Sequence, residues 1–177
     1  MKIPGSQLEQ EGIRDAARRM AVAARTAPKA KGKDNLEILL VTGNDIKPII
    51  DEMLKWGNTH NASAFLRDAA TLASTPALLL IGTKISPLDV KGCGICGFSD
   101  CAENRARGGI CAFNTGDLGI AVGSAAGVAA DCRIDTRILF TAGLAAVNCG
   151  LLGPEVRIAY AFPLTVTGKN PFFDRQK

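Results

Sequence analysis

The sequence predicts an α+β protein, with helices packed around a small mixed sheet and a cysteine-rich metal-binding loop inserted between the elements. Three observations carry this. Apolar residues recur at i, i+3 and i+4 through the first 26 residues and again in the second half. Two short apolar runs, Ala77 to Gly82 and Val156 to Leu164, have strand length and are preceded by proline or glycine punctuation. Between them the stretch 91–112 follows neither period and instead concentrates cysteine and glycine.

Taken in order, Gln7 to Thr26 reads as an amphipathic helix, with Ile13, Ala16, Ala17, Met20, Ala21 and Ala24 on its apolar stripe and Arg14, Arg18 and Arg25 opposite. A basic loop follows, then a strand over Leu36 to Thr42. Asp45 to Trp56 and Ala62 to Ala73 are two further helices, the first with Pro48 tolerated in its opening turn. The unbroken apolar run of the strand Ala77 to Gly82 implies cover on both faces. A helix is expected from about Gly116 to Cys132, with Thr115 as N-cap and Asp117 favoured in the first turn. Its Gly119, Gly123 and Gly127 form one bare stripe. That stripe reads foremost as tight helix–helix packing, with a subunit or a flat ligand as the alternatives. Arg137 to Leu151 reads as a second, almost wholly apolar helix ended by Gly150 and Gly153-Pro154, and Val156 to Leu164 as the last strand.

Length and composition bound the function. The chain of 177 residues with 47% hydrophobic content suits a single domain over residues 1–177. Its net charge of +4 comes without a basic stripe interleaved with aromatic residues, which argues against nucleic-acid binding. No apolar run approaches the roughly 20 residues of a membrane span. The richest, Ile138 to Leu152, is interrupted by Thr141 and Asn148. No leader pattern opens the chain, so a cytoplasmic location with reduced thiols is expected.

The chemistry lies in Cys93, Cys96, Cys101 and Cys111, spaced C-x2-C-x4-C-x9-C. Four thiolates on one short loop suit a [4Fe–4S] cluster, and Gly92, Gly94 and Gly97 free the backbone to bend around it. Arg105 and Arg107 would raise its potential through nearby positive charge, with Glu103 balancing them. A structural zinc is the alternative occupant, although the second cysteine knuckle usual for zinc is missing. Free or disulfide-linked thiols are the third reading. Cys132 and Cys149 fall in apolar segments and are expected in the core. His60, the sole histidine, reads as a surface or capping residue, and Asp131, Arg133, Asp135 and Arg137 read as a turn laced with ion pairs. No phosphate-binding glycine loop or hydrolase triad is recognisable.

Four segments together resemble a known family. They are Ala24 to Asn35, the loop Cys-Gly-Ile-Cys-Gly-Phe-x-x-Cys, the run Asp117 to Ser124, and Gly168-Lys-Asn-Pro-Phe-Phe-Asp-Arg175. The family is that of prokaryotic uncharacterised proteins containing a ferredoxin domain, mostly from anaerobes. The resemblance implies an iron–sulfur protein and names no reaction. The order of elements is also similar, more distantly, to the FMN-dependent nitroreductases. That resemblance implies a flavin phosphate held by Arg14, Arg18, Arg25, Thr26 and Lys169, and an intertwined homodimer in which the apolar tail Pro171-Phe-Phe docks on a second subunit.

Two function classes follow. One is a redox protein that passes single electrons through the cluster, from a ferredoxin or flavoprotein partner to a flavin on the same chain. The other is a metal-stapled structural or sensing module without catalytic activity.

Overall fold

The computed structural model describes residues 1–173, so Asp174 and Arg175 of the tail motif lie outside the described residues. In chain order the elements are α1 (Gly5–Thr26), β1 (Leu36–Thr42), α2 (Lys47–Thr59), α3 (Ser63–Leu72), β2 (Ala77–Lys84), α4 (Cys101–Ala106), α5 (Ala112–Asp131), α6 (Phe140–Asn148) and β3 (Val156–Leu164). The sheet order is β1-β2-β3, with Leu39 opposite Leu80 and Leu80 opposite Ala161. Both pairings are antiparallel, where a mixed sheet was expected. For β1 and β2 the reason is in the connection: α2 and α3 form an out-and-back pair that returns the chain to the end of the sheet it left, with Thr42 opposite Ala77. A single crossover helix would deliver it to the opposite end and give a parallel neighbour.

The central strand β2 is buried along Ala77–Thr83 and serves two cores. Leu79 and Ile81 join one cluster with Ile13, Ala17 and Met20 of α1 and Leu118, Ala121 and Ala125 of α5. Leu78 and Leu80 join the other with Ile49 and Met53 of α2, Phe65 and Leu72 of α3, and Ala142 and Ala146 of α6. The alternation of side chains along a strand produces this division, giving a helix–sheet–helix sandwich. The alanine-rich stripe of α1 lets it approach α5 closely enough for Ser124 Oγ to donate to the Ala23 carbonyl at 3.1 Å. Pro28 stops α1. Lys29 Nζ then donates to the carbonyls of Ala24, Arg25 and Ala27 at 3.2, 2.6 and 2.9 Å, satisfying acceptors that a helix C-terminus leaves free.

Several boundaries differ from expectation. The helix expected from Gly116 begins at Ala112, with Cys111 rather than Thr115 as N-cap, and Thr115 Oγ1 donates back into the helix to the Ala112 carbonyl. A Cβ built on Gly119, Gly123 or Gly127 meets nothing within 4 Å, so the packing expected along that stripe does not occur within the described chain. The opposite face of α5 carries the core contacts. The helix expected over Arg137 to Leu151 is shortened to Phe140–Asn148. The residues before it pair with the outer edge of β3 instead, through bridges Asp135–Thr165 and Leu139–Ala161. Edge carbonyls and N–H groups need partners, and this segment supplies them. Gly143 is the close approach that seats α6: a Cβ there would lie 2.0 Å from the Ala159 carbonyl oxygen.

Two cysteine expectations divide. Cys132 is half-buried against the α1–α5 cluster, whereas Cys149 is exposed at the end of α6, because the helix stops at Asn148 and turns outward at Gly150. No ion pair joins Asp131, Arg133, Asp135 and Arg137 among the described residues. Asp135 Oδ2 instead accepts from the Thr167 N–H and hydroxyl, and Arg137 donates to the Phe172 carbonyl and covers the Phe173 ring. These contacts hold the tail onto its own chain, with Phe172 buried and Phe173 exposed.

Candidate metal centre

Residues 85–111 connect β2 to α5 and contribute nothing to either hydrophobic cluster. The cysteine stretch is built from turns. Cys93 N–H donates to the Val90 carbonyl at 3.2 Å and Gly97 N–H to that of Gly94 at 2.9 Å. Gly92 (φ 70°) and Gly97 (φ 85°) take left-handed conformations that a side chain would strain. Cys101 opens α4, whose N-cap Asp100 accepts from the Glu103 N–H at 2.8 Å. Glu103 reaches back to the Ser99 N–H and hydroxyl at 2.9 and 2.7 Å. Those donors, the backbone N–H first, hold its carboxyl below the usual range. This reciprocal capping was legible as an acid three residues after Asp100, a signal passed over because the short helix lies among the cysteines. Cys111 is buried at the N-cap of α5, at the positive end of a 20-residue helix.

The four thiols therefore share one loop. Among the described residues, no three Cys, His, Asp or Glu side chains are gathered closely enough to hold one metal ion, and all six cysteines are free. The donor set still fits an iron–sulfur cluster. It is all thiol, it is local, and a buried amide already points at one sulfur: Asn104 Nδ2 lies 3.5 Å from Cys96 Sγ. The cations differ from expectation in their partners. Arg105 forms a tight ion pair with Asp89, and Arg107 pairs with Glu103 at 3.4 Å. The Arg105 hydrogen bond holds the Asp89 carboxyl below its ordinary range, with Lys31 and Lys33 adding to the effect.

The basic loop after α1 lies directly against this stretch. Lys31 Nζ donates to the Leu88 carbonyl at 3.1 Å, and Lys33 Nζ to the Ser86 hydroxyl at 2.7 Å. The Ala30 N–H donates to the buried Asp117 carboxylate at 3.0 Å. Ser86 in turn donates its N–H to Asn114 Oδ1 in the first turn of α5. None of these long-range contacts is visible as a sequence pattern.

The five residues nominated for a flavin phosphate do not converge. Arg14, Arg18 and Arg25 share one face of α1, but Arg14 and Arg25 stand about 16 Å apart along the axis. Arg14 borders a groove of about 280 Å³ with Gln10, Thr42 and Gly43. Arg25 Nη1 is engaged by Asp34 at 2.7 Å and the Leu36 carbonyl at 3.0 Å. Thr26 turns its hydroxyl back to the Val22 carbonyl at 2.9 Å, at the negative end of the helix. Lys169 follows Thr167, whose side chain reaches Asp135 beyond the C-terminal end of α5. Arg25 and Thr26 follow Ala23, whose carbonyl meets Ser124 in the middle of α5. His60 stacks on Trp56 at 4.2 Å and contacts its carbonyl through Nδ1, closing α2. No described helix is long and apolar enough to cross a membrane.

The fold is similar to a nitroreductase with bound FMN from Desulfitobacterium hafniense, with a TM-score of 0.60 at 13% identity over 95% of this chain and 81% of that one. A BluB-like flavoprotein from Clostridium difficile gives 0.59 at 16% identity over 100% and 87%. A putative nitroreductase in complex with FMN from Desulfovibrio desulfuricans gives 0.56 at 14% identity over 92% and 79%. In sequence, an uncharacterised protein of Archaeoglobus fulgidus is 39% identical over 186 residues, covering 99% of this chain and 98% of its own. Residues 107–175 match the family described as uncharacterised proteins containing a ferredoxin domain. With residues 107–175 matched by the family and a relative 39% identical over 99% of this chain, the chain belongs to that ferredoxin-domain family.

Proposed function

We propose that this chain is a cytoplasmic iron–sulfur redox protein, with Cys93, Cys96, Cys101 and Cys111 holding a [4Fe–4S] cluster. The observation that carries the reading is the placement of the four thiols. They occupy one stretch outside both cores, ending at the N-terminus of α5 and tied through Lys31, Lys33 and Asp117 to the loop after α1. The cluster supplies one-electron transfer when bound. The chain's own part is to collect the four sulfurs, to favour their charge with the end of α5, and to present the loop at the surface. A partner protein, such as a ferredoxin or flavoprotein, exchanges electrons there.

The flavin half of the reading draws on fold neighbours that carry FMN. The five nominated residues do not form one phosphate site, so no step is assigned to them. Dimerisation is supported by the bare, open stripe of Gly119, Gly123 and Gly127, which a second subunit would cover. A metal staple is the weaker alternative, because both cores close without a residue from 85–111.

The test is an absorption spectrum with iron, sulfide, zinc and flavin analysis on protein purified without oxygen. A broad band near about 400 nm with about four irons per chain supports the cluster. Stoichiometric flavin supports the coupled oxidoreductase. A colourless protein with one zinc per chain defeats both.

A further inference from the structure

Asn104 is 1% exposed on α4, and its side-chain Nδ2 donates to Cys96 Sγ at 3.5 Å. Its backbone is held at both ends: its N–H donates to the Asp100 carbonyl at 3.1 Å, and its carbonyl accepts from the Gly109 N–H at 2.8 Å. The side-chain Oδ1, by contrast, is buried without a partner. A buried amide oxygen left in that state costs about 1–3 kcal/mol. With the sulfur bound to iron, turning the amide over would not remove the cost, because a metal-bound thiolate offers no hydrogen to the oxygen and the N–H would then be stranded. The fold therefore keeps the donor on sulfur at the expense of the acceptor. Gly109 makes this arrangement possible: a Cβ there would lie 2.7 Å from Nδ2 and 2.4 Å from the Phe98 ring.

We propose that Asn104 is a positioning residue for the Cys96 sulfur, and that its N–H raises the reduction potential of the cluster bound there. The inference rests on the cluster reading above. A hydrogen bond to a cluster sulfur draws off negative charge and favours the reduced, more negative state. Asn104 is the only asparagine in residues 85–111, so a label on asparagine side chains reports on no other residue of the loop.

The experiment uses the full chain purified without oxygen, with asparagine side chains labelled with nitrogen-15. Pulsed electron paramagnetic resonance on the dithionite-reduced protein should show a nitrogen-15 coupling to the cluster, and this should vanish in Asn104→Leu. The midpoint potential should fall in Asn104→Leu and fall further in Asn104→Asp, which removes the donor and adds negative charge. Gly109→Ala should lower it too, by displacing the amide while leaving Asn104 in place. Circular dichroism melts establish that each variant is folded. If Asn104→Leu binds no cluster, the wild-type coupling and the Gly109→Ala potential decide the matter. An iron-replete wild type with no such coupling, or with unchanged variant potentials, overturns the role of Asn104 alone. A wild type that holds no iron overturns the cluster reading and this inference together.

Discussion

The Ala30 N–H donates to the Asp117 carboxylate at 3.0 Å, joining the loop after α1 to the first turns of α5 across 87 positions of sequence. The carboxylate is buried, so the contact is a charge-assisted bond shielded from water.

Asp117→Ala should therefore destabilise the protein by about 2 kcal/mol, read from the urea midpoint at constant slope. Asp117→Asn keeps an acceptor oxygen and should lose less. Hydrogen exchange at Ala30 and Gly32 should quicken in the alanine variant, since the Ala30 N–H loses its acceptor and the loop its tie to α5. Equal midpoints for all three proteins would contradict the assignment.

The glycines of α5 and α6 should behave oppositely. Gly143→Ala forces a methyl group onto the Ala159 carbonyl and should cost about 3 kcal/mol. Gly123→Ala meets open space and should stabilise the folded subunit by about 0.5–1 kcal/mol through helix propensity alone. If a second subunit covers the stripe, the same substitution weakens association, which sedimentation detects as a shift toward monomer.

Serine at Cys93, Cys96, Cys101 or Cys111 should abolish bound iron and the absorption near about 400 nm. Serine at Cys132 or Cys149 should leave both intact, since these lie at the far end of α5 and at the exposed end of α6. Loss of iron in the Cys149 variant would show that the ligand set is misassigned.

Asp34 predicts an acid-sensitive contact. Partial burial opposes its charge, but the Arg25 guanidinium and the Leu36 N–H outweigh this and hold the carboxyl below its ordinary value. The unfolded chain then binds the proton first as pH falls. This stabilisation is present above the unfolded value near about 3.9 and is lost as pH falls through that value toward the lower folded one. Arg25→Gln should be less stable than wild type at neutral pH, with the gap narrowing below about pH 4. A gap that stays constant down to pH 2 would mean that Arg25 acts only through the Leu36 carbonyl.

Much of the fold was legible because its signals are local. The strands Leu36–Thr42 and Val156–Leu164 appear where apolar runs and punctuation placed them, and α1 buries Ile13, Ala16, Ala17, Met20 and Ala24 as its period requires. Where local pattern was ambiguous it misled. The run from Arg137 is apolar enough for a helix or a strand, and only the open edge of β3 decided that Asp135 and Leu139 pair with it. The direction of the sheet was likewise invisible, since pairing depends on where the intervening helices return the chain.

The sequence by itself determined that four cysteines share one stretch, because their spacing is a local fact that needs no folding to establish. It also determined the two-faced burial of β2, through an unbroken apolar run. Only the tertiary structure decided what surrounds those cysteines. It placed Lys31 and Lys33 on the loop's entry, set Asn104 against Cys96, joined Ala30 to Asp117, and left the glycine stripe of α5 uncovered. Contacts between residues tens of positions apart depend on how whole elements pack, and no periodicity along the chain encodes them.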